Sequence, residues 1–177
     1  MAKPIEPIPN NAECERILTD SYSGILVMCQ DEEPYAVPIN HAYSDGKLYF
    51  HCAPTGRKLD MIRAKPRVCY VVKKYLGDPA HLTDGVICHG DWESVIAYGK
   101  ARVIDDRQEL REAFSAFMNY YSPTYFKPTE RSLETTRAII IEVESMTARR
   151  EVPREGFDRK TGKGGVDIDY WSWSPGA

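Results

Sequence analysis

The spacing of apolar and polar positions changes period several times along the chain, and each change marks an element. In residues 10–21, Cys14, Ile17 and Leu18 share one helical face behind Asn10 and Glu13, whose spacing is that of a capping box. A short helix ending near Ser21 is expected. Residues 24–30 (GILVMCQ) are an unbroken apolar run of strand length, the mark of a strand buried on both faces. The acidic stretch 31–34 reads as a turn, and residues 35–43 (YAVPINHAY) as a strand with proline in its middle. Pro38 has no N–H to give a ladder, so that strand must lie at an edge or carry a break. Asp45-Gly46 favours a tight hairpin turn into the strand 48–52 (LYFHC). A helix capped by Thr55 then buries Leu59 and Ile62 and stops before Pro66. Residues 67–73, 93–104 and 138–143 complete a set of six strands. The clearest helix follows Asp105 or Asp106, where Leu110, Ala113, Phe114, Phe117, Met118 and Tyr121 keep the i, i+3, i+4 spacing of a buried stripe. Core packing is the expected role of that stripe, ahead of a heme or lipid pocket.

Between these elements lie a polar, irregular stretch at 75–91, of a length that tends to be functional or mobile, and a connector at 122–136. Three parts are expected: an N-terminal extension (1–10), one domain (11–147) and a polar, glycine-rich tail (148–177). The tail cannot form a core by itself. Its Tyr170, Trp171 and Trp173 dock on the barrel, dock on a partner subunit, or stay disordered. Six strands joined by a hairpin and short helices suggest a mainly β, α+β fold, an antiparallel barrel with helices outside.

Composition narrows the function classes. The 177 residues suffice for one domain with a proper core. A net charge of -3 argues against a general nucleic-acid binder. No apolar run approaches the roughly 20 residues of a membrane span, and MAKPIEPIPNN lacks the apolar centre of a secretory signal. A cytoplasmic location is expected. The five cysteines are then expected as free thiols. His51-Cys52 and Cys88-His89 invite a zinc reading, but strand neighbours point to opposite faces, so no metal is expected.

The chemistry concentrates in residues 48–60 (LYFHCAPTGRKLD). Arg57 and Lys58 fall in the first turn of a helix, the positive end of its dipole, at a cost of a few tenths to about 1 kcal/mol each. A phosphate there reverses the sign, using both cations and the free backbone N–H groups. Gly56 lets a ligand approach the backbone. The stretch reads as a phosphate-binding corner, against the plainer alternative of a solvated helix face.

Three segments in this order and spacing, PYAVPINHAY (34–43), DGKLYFHCAPTGRKLDMIRAKPRVCYVV (45–72) and ESVIAYGKARVIDD (93–106), resemble the flavin-binding split-barrel proteins related to pyridoxamine 5'-phosphate oxidase. Within these the chain is most similar to the branch containing the 5-nitroimidazole resistance proteins, over about residues 11–147. The resemblance implies an antiparallel split β-barrel with peripheral helices and FMN as cofactor. It places the flavin phosphate on Arg57 and Lys58, with Thr55 as a further donor. The ring would lie near Val37, Pro38, Ile39 and Asn40, and near His51 and Cys52. Trp92, Glu93 and Ser94 would come from the other subunit of a homodimer. Asn40 suits a flavin edge or a turn equally, and Ser94 a flavin contact or a plain strand position. His51 matches an active-site histidine and is expected to be catalytic, with a pKa suited to proton transfer. His41 and His89 receive no role.

The function implied is an FMN-dependent oxidoreductase acting on a small molecule, nitroreductase-like or related to the phosphate oxidase. The alternatives are a flavin carrier or sensor without turnover, and a barrel holding deazaflavin or heme. No glycine fingerprint offers a nicotinamide nucleotide its own domain. The C-terminal DIDYWSWSPGA lacks the arginine- and histidine-bearing substrate segment of the oxidases proper, so their activity is not implied.

Overall fold

The structure is a computed structural model and describes residues 7–76, 91–122, 124, 127–156, 158 and 163–176. Most of the long stretch 75–91, with Cys88 and His89, lies outside the described residues, as do residues 1–6.

The framework is one nine-stranded sheet. Its centre is β8 (Arg137–Pro153), which pairs along one edge with β7 (Trp92–Ile104). On the other edge β8 takes β5 (Lys47–Cys52) first and β9 (Val166–Trp173) afterwards. Beyond β7 come β6 (Arg67–Tyr75), β2 (Ser23–Gln30) and β3 (Glu33–Asn40), all antiparallel. Two short strands finish the sheet: β1 (Ile8–Pro9) runs parallel to β9, and β4 (Ala42–Ser44) pairs with β5. The β7–β8 ladder shifts register between Tyr98 and Gly99. A Cβ on Gly99 would sit 2.1 Å from the Glu142 carbonyl oxygen, so only glycine allows this approach. Such an irregularity bends and twists a ladder, and here it helps curl the sheet round until β5 faces β3.

The curl does not close. β3 pairs with β2 alone, and Phe50, His51 and Cys52 pair with β8 alone, because the β4 partners end at Tyr49. The fold is therefore an antiparallel split barrel with helices outside, as expected, and its split runs between β3 and the end of β5. Pro38 sits in the continuous edge strand β3, where a missing donor is tolerated. The break comes three residues later, at His41.

Around the sheet lie α1 (Asn11–Thr19), α2 (Arg57–Ala64), α3 (Arg107–Tyr121) and α4 (Glu130–Thr135). Asn10 caps α1, accepting from the Glu13 N–H at 3.1 Å, and Cys14, Ile17 and Leu18 are fully buried. Asp106 caps α3 through the Glu109 N–H at 2.8 Å. Leu110 and Ala113 of its stripe join Ile104, Leu133, Ala138 and Ile140 in a second small core between helices and barrel. The Asp31-Glu32 and Asp45-Gly46 turns both have positive φ at their two central residues, the conformation that matches hairpin twist.

Two departures from the sequence reading matter. The first is at α2, which starts at Arg57 with Gly56 as its cap, not Thr55. Gly56 has φ 135°, a value side chains disfavour, so the chain enters the helix one residue after Thr55 and without a side-chain cap. The second is the tail. β8 runs on through Thr147 to Pro153, and β9 returns beside it with Trp171 and Trp173 buried in the main core. Of the fates open to these aromatics, docking on their own barrel is the one realised.

Candidate functional site

At the mouth of the split, the first turn of α2 meets the free edge of β3. The Leu59 and Asp60 N–H groups both bond the Gly56 carbonyl, at 2.9 and 3.4 Å. The N–H groups of Arg57 and Lys58 precede them and have no acceptor within the helix, and no side chain caps this end. A Cβ built on Gly56 meets nothing within 4 Å, so the space beside this backbone is open. The two cations diverge. Arg57 stacks over the Tyr35 ring of β3, with Cζ 4.7 Å from the centroid. Lys58 turns toward β5, where its charge helps lower the His51 pKa and counters the rise of the Cys52 thiol.

His51 and Cys52 leave β5 on opposite faces. The His51 ring lies against Phe117 of α3, centroids 4.6 Å apart, and more loosely against Phe114. Burial, then Lys58, pushes its pKa below the ordinary 6.5 and favours the neutral ring. Cys52 packs against the main core, and burial raises its thiol pKa even though Lys58 and Arg137 act the other way. Along β3, Val37 and Ile39 pack against the core while Pro38 and Asn40 point outward and are exposed. Thr55 is exposed one residue before the helix cap.

Strand alternation divides the segment expected to act together on β7. Trp92 and Ser94 face outward, half-buried. Glu93 faces inward, 1% exposed, and its carboxylate is held by Arg16 at 2.7 and 3.3 Å, with Lys74 at 3.7 Å. That ion pair engages Glu93 within its own chain, on the face opposite to Trp92 and Ser94. Nor does one chain bring Trp92 and Ser94 to the phosphate corner. His51, just before the corner, is level with Ile104 through Ala138, and Trp92 and Ser94 lie at the other end of β7, roughly 30 Å along the strand.

The structure also gives His41 a place that the sequence does not show, because its partners are 23 and 29 residues away. Its Nε2 lies 3.0 Å from the Leu18 carbonyl oxygen and its Nδ1 2.8 Å from the Tyr70 hydroxyl. A carbonyl only accepts, so Nε2 carries the proton of the neutral ring, and the single Tyr70 hydroxyl hydrogen is shared between Nδ1 and the Ile39 carbonyl oxygen at 3.1 Å. Tyr121 donates to the His41 carbonyl at 2.5 Å, closing the joint between β3 and β4. Burial lowers the His41 pKa below 6.5. The unfolded chain therefore binds more protons in this range, and stability complete above pH 6.5 is lost as pH falls through it toward the folded value. His51 shifts in the same direction and adds to the slope. Urea unfolding at pH 7.5 and 5.5 is expected to show this loss, and His41→Gln to remove a large part of the pH dependence while lowering stability at both. An equal pH dependence in variant and parent would assign the slope elsewhere.

A family model for pyridoxamine 5'-phosphate oxidase matches residues 10–150. The chain belongs to that family. The match spans α1 to most of β8, and so takes in both sides of the split. An uncharacterized protein of Rhizobium meliloti (strain 1021), RA0666, is 26% identical over 152 residues, 80% of this chain and 93% of its own. Among solved structures, a candidate 5-nitroimidazole antibiotic resistance protein from Bacteroides thetaiotaomicron superposes with a TM-score of 0.65 at 24% identity, covering 80% of this chain and 84% of that one. An FAD-binding protein from Mesorhizobium loti gives 0.59 at 23% identity, over 78% and 93%. The FAD and heme binding protein from Mycobacterium smegmatis gives 0.66 at 16% identity, over 89% and 74%. These likenesses establish that the family's split-barrel fold is shared. No helix among the described residues is long and apolar enough to cross a membrane.

Proposed function

We propose that this member of the pyridoxamine 5'-phosphate oxidase family is an FMN-dependent oxidoreductase for a small molecule, with two equivalent sites in a homodimer. The observation that carries the reading is the α2 N-terminus: uncapped, with free backbone donors, open space at Gly56, and two cations that otherwise oppose the helix dipole. A phosphomonoester fits this donor set. The flavin named for the Mesorhizobium and Mycobacterium proteins supports a flavin over other phosphorylated ligands.

In this reading Arg57 and Lys58 hold the phosphate, with Thr55 beside them. The ring lies along the free edge of Val37, Pro38, Ile39 and Asn40, whose backbone groups on that side have no strand partner. The end of β5 that carries His51 and Cys52 borders it. A flavin supplies reversible two-electron chemistry, and the protein fixes its phosphate, shields the ring and leaves a cleft for substrate. His51, whose lowered pKa favours the neutral ring, would take up or release a proton beside the flavin. Trp92 and Ser94 complete the site from the partner subunit, since in their own chain they are too far away.

A two-fold interface uses the same patch on both subunits. The outer sheet face offers one: Ile25, Val71, Ile96 and Thr147 form a row across four strands, and Ile25, Ile96 and Tyr98 are 45%, 37% and 43% exposed. Light scattering is expected to give twice 20.1 kDa, with one FMN per chain by absorbance. A stable monomer saturated with FMN would rule out completion in trans. His51→Ala is expected to lower turnover by about 10²-fold or more, the usual scale of a proton-transfer group, with little change in FMN affinity. Equal turnover in variant and parent would make His51 structural, and a flavin-loaded protein without turnover would favour a carrier.

A further inference from the structure

We infer that the outer face of β7, β8 and β9 holds a groove for a small planar organic anion, the class of substrate brought to the flavin of the partner subunit. This rests on the two-fold site proposed above, in which Trp92 and Ser94 approach that flavin. The groove has a volume of about 490 Å³, lined chiefly by Trp92, Ser94, Ile96, Arg149, Ile168 and Tyr170. That is a size common for small-molecule sites, typically about 300–1,000 Å³.

The register explains how the groove is assembled. Lys73, Ser94, Arg149 and Tyr170 are directly opposed across four successive strands, so their side chains share one face in one row. The next row, displaced by two residues, is Tyr75, Trp92, Glu151 and Ile168. Lys73 Nζ lies 5.0 Å from the Trp92 ring centroid and Arg149 Cζ 5.3 Å. Two cations thus flank one indole. Arg149 bonds the Glu151 carboxylate at 3.2 Å, which leaves these three groups with one net positive charge, on a chain whose net charge is -3. The walls beside that charge are apolar: Ile96, Ile168 and the Tyr170 ring. Charge at one side and flat apolar surface at the other is the complement of an aromatic carboxylate or aryl phosphate.

The wall carrying Ile168 and Tyr170 belongs to β9, past the end of the family match at residue 150. The C-terminal hairpin thus supplies one wall of the groove, while Trp92, Ser94, Ile96 and Arg149 lie within the match.

Calorimetric titration with 4-nitrobenzoate and its neutral counterpart 4-nitrobenzamide tests this, with flavin content and mass measured on the same samples. The FMN-loaded parent is expected to bind the acid at least tenfold more tightly than the amide. Arg149→Gln and Lys73→Gln should each lose most of that preference and keep FMN affinity and dimer mass. Arg149→Lys, which keeps the charge, should retain it. Equal binding of acid and amide by a flavin-loaded dimer overturns the inference, as does a preference that survives both glutamine variants. If the protein takes up no flavin, the earlier reading fails by itself. Titration of that protein still decides the groove, since an acid preference lost in Arg149→Gln supports it and one that persists overturns it.

Discussion

The Arg57→Gln, Lys58→Gln double variant is expected to bind FMN at least a hundredfold more weakly than the parent while keeping its folded barrel. Two charge-assisted contacts to phosphate would be lost, each worth about 1.5–3 kcal/mol. Arg57 is exposed and Lys58 half-buried, so solvent screening argues for the lower end of that range. Twice about 1.5 kcal/mol still exceeds two factors of ten. Riboflavin, without a phosphate, should bind weakly to both proteins and discriminate little between them. The barrel has small stakes in either side chain. Losing the Arg57–Tyr35 stacking costs about 0.5–1 kcal/mol, and relieving two cations at the positive end of α2 offsets a similar amount. Fluorescence titration of FMN and riboflavin into parent and variant gives the answer. Unchanged FMN affinity would move the phosphate elsewhere and leave the Arg57-Lys58 pair as a solvated helix face.

Much of this corner was legible because its signals are local. A strand, a glycine and two misplaced cations are all visible within thirteen residues, and the helix they open is where the structure has it. The cap is not legible, because a threonine ahead of a helix is the ordinary reading and only the φ of Gly56 shows that the turn is made one residue later. What the sequence could not supply is what meets the corner. Tyr35 reaches Arg57 from the far side of a broken strand pair, and no spacing announces it. Glu93 was grouped with its neighbours by position. The alternation of β7, together with an arginine 77 residues away, turns it inward.

The fold shows the same division. Alternating or continuous apolar runs disclosed the core strands, since burial sets their period, but the run 24–30 reads as buried on both faces whereas β2 leaves Ile25 and Cys29 exposed on its outer face. The edge position of β3 was legible from Pro38. The C-terminal hairpin was not, because β9 reads as charged and aromatic. Its Asp167 and Asp169 pair with Arg154 and Arg150 on the neighbouring chain segment, which makes sense of the charges only once the partner is known. The burial of Trp171 and Trp173 likewise depends on residues at the other end of the chain.

Trp173→Ala is accordingly expected to be among the most destabilising single changes in the chain. Trp173 is 7% exposed, sits in the main core, and donates its indole N–H to Glu15 at 2.8 Å. Its six-membered ring also lies against the Asp45-Gly46 turn, where a Cβ on Gly46 would meet it at 3.5 Å. Truncating such a side chain typically costs about 3–5 kcal/mol, a large part of the roughly 5–15 kcal/mol that holds a domain folded. Trp173→Phe separates the terms. It keeps most of the apolar volume and loses the donor, while Glu15 keeps the Tyr43 hydroxyl at 3.0 Å. A smaller cost of about 1–2 kcal/mol is therefore expected. Urea unfolding of the three proteins measures both differences. The hairpin also carries Arg149 and Tyr170, whereas Arg57 and Lys58 stand on a separate element. Partial loosening of the hairpin should therefore weaken the preference for the nitrobenzoate anion before it weakens FMN binding. A Trp173→Ala protein that unfolds at the parent's urea midpoint would mean that β9 contributes nothing to the stability of the barrel in solution.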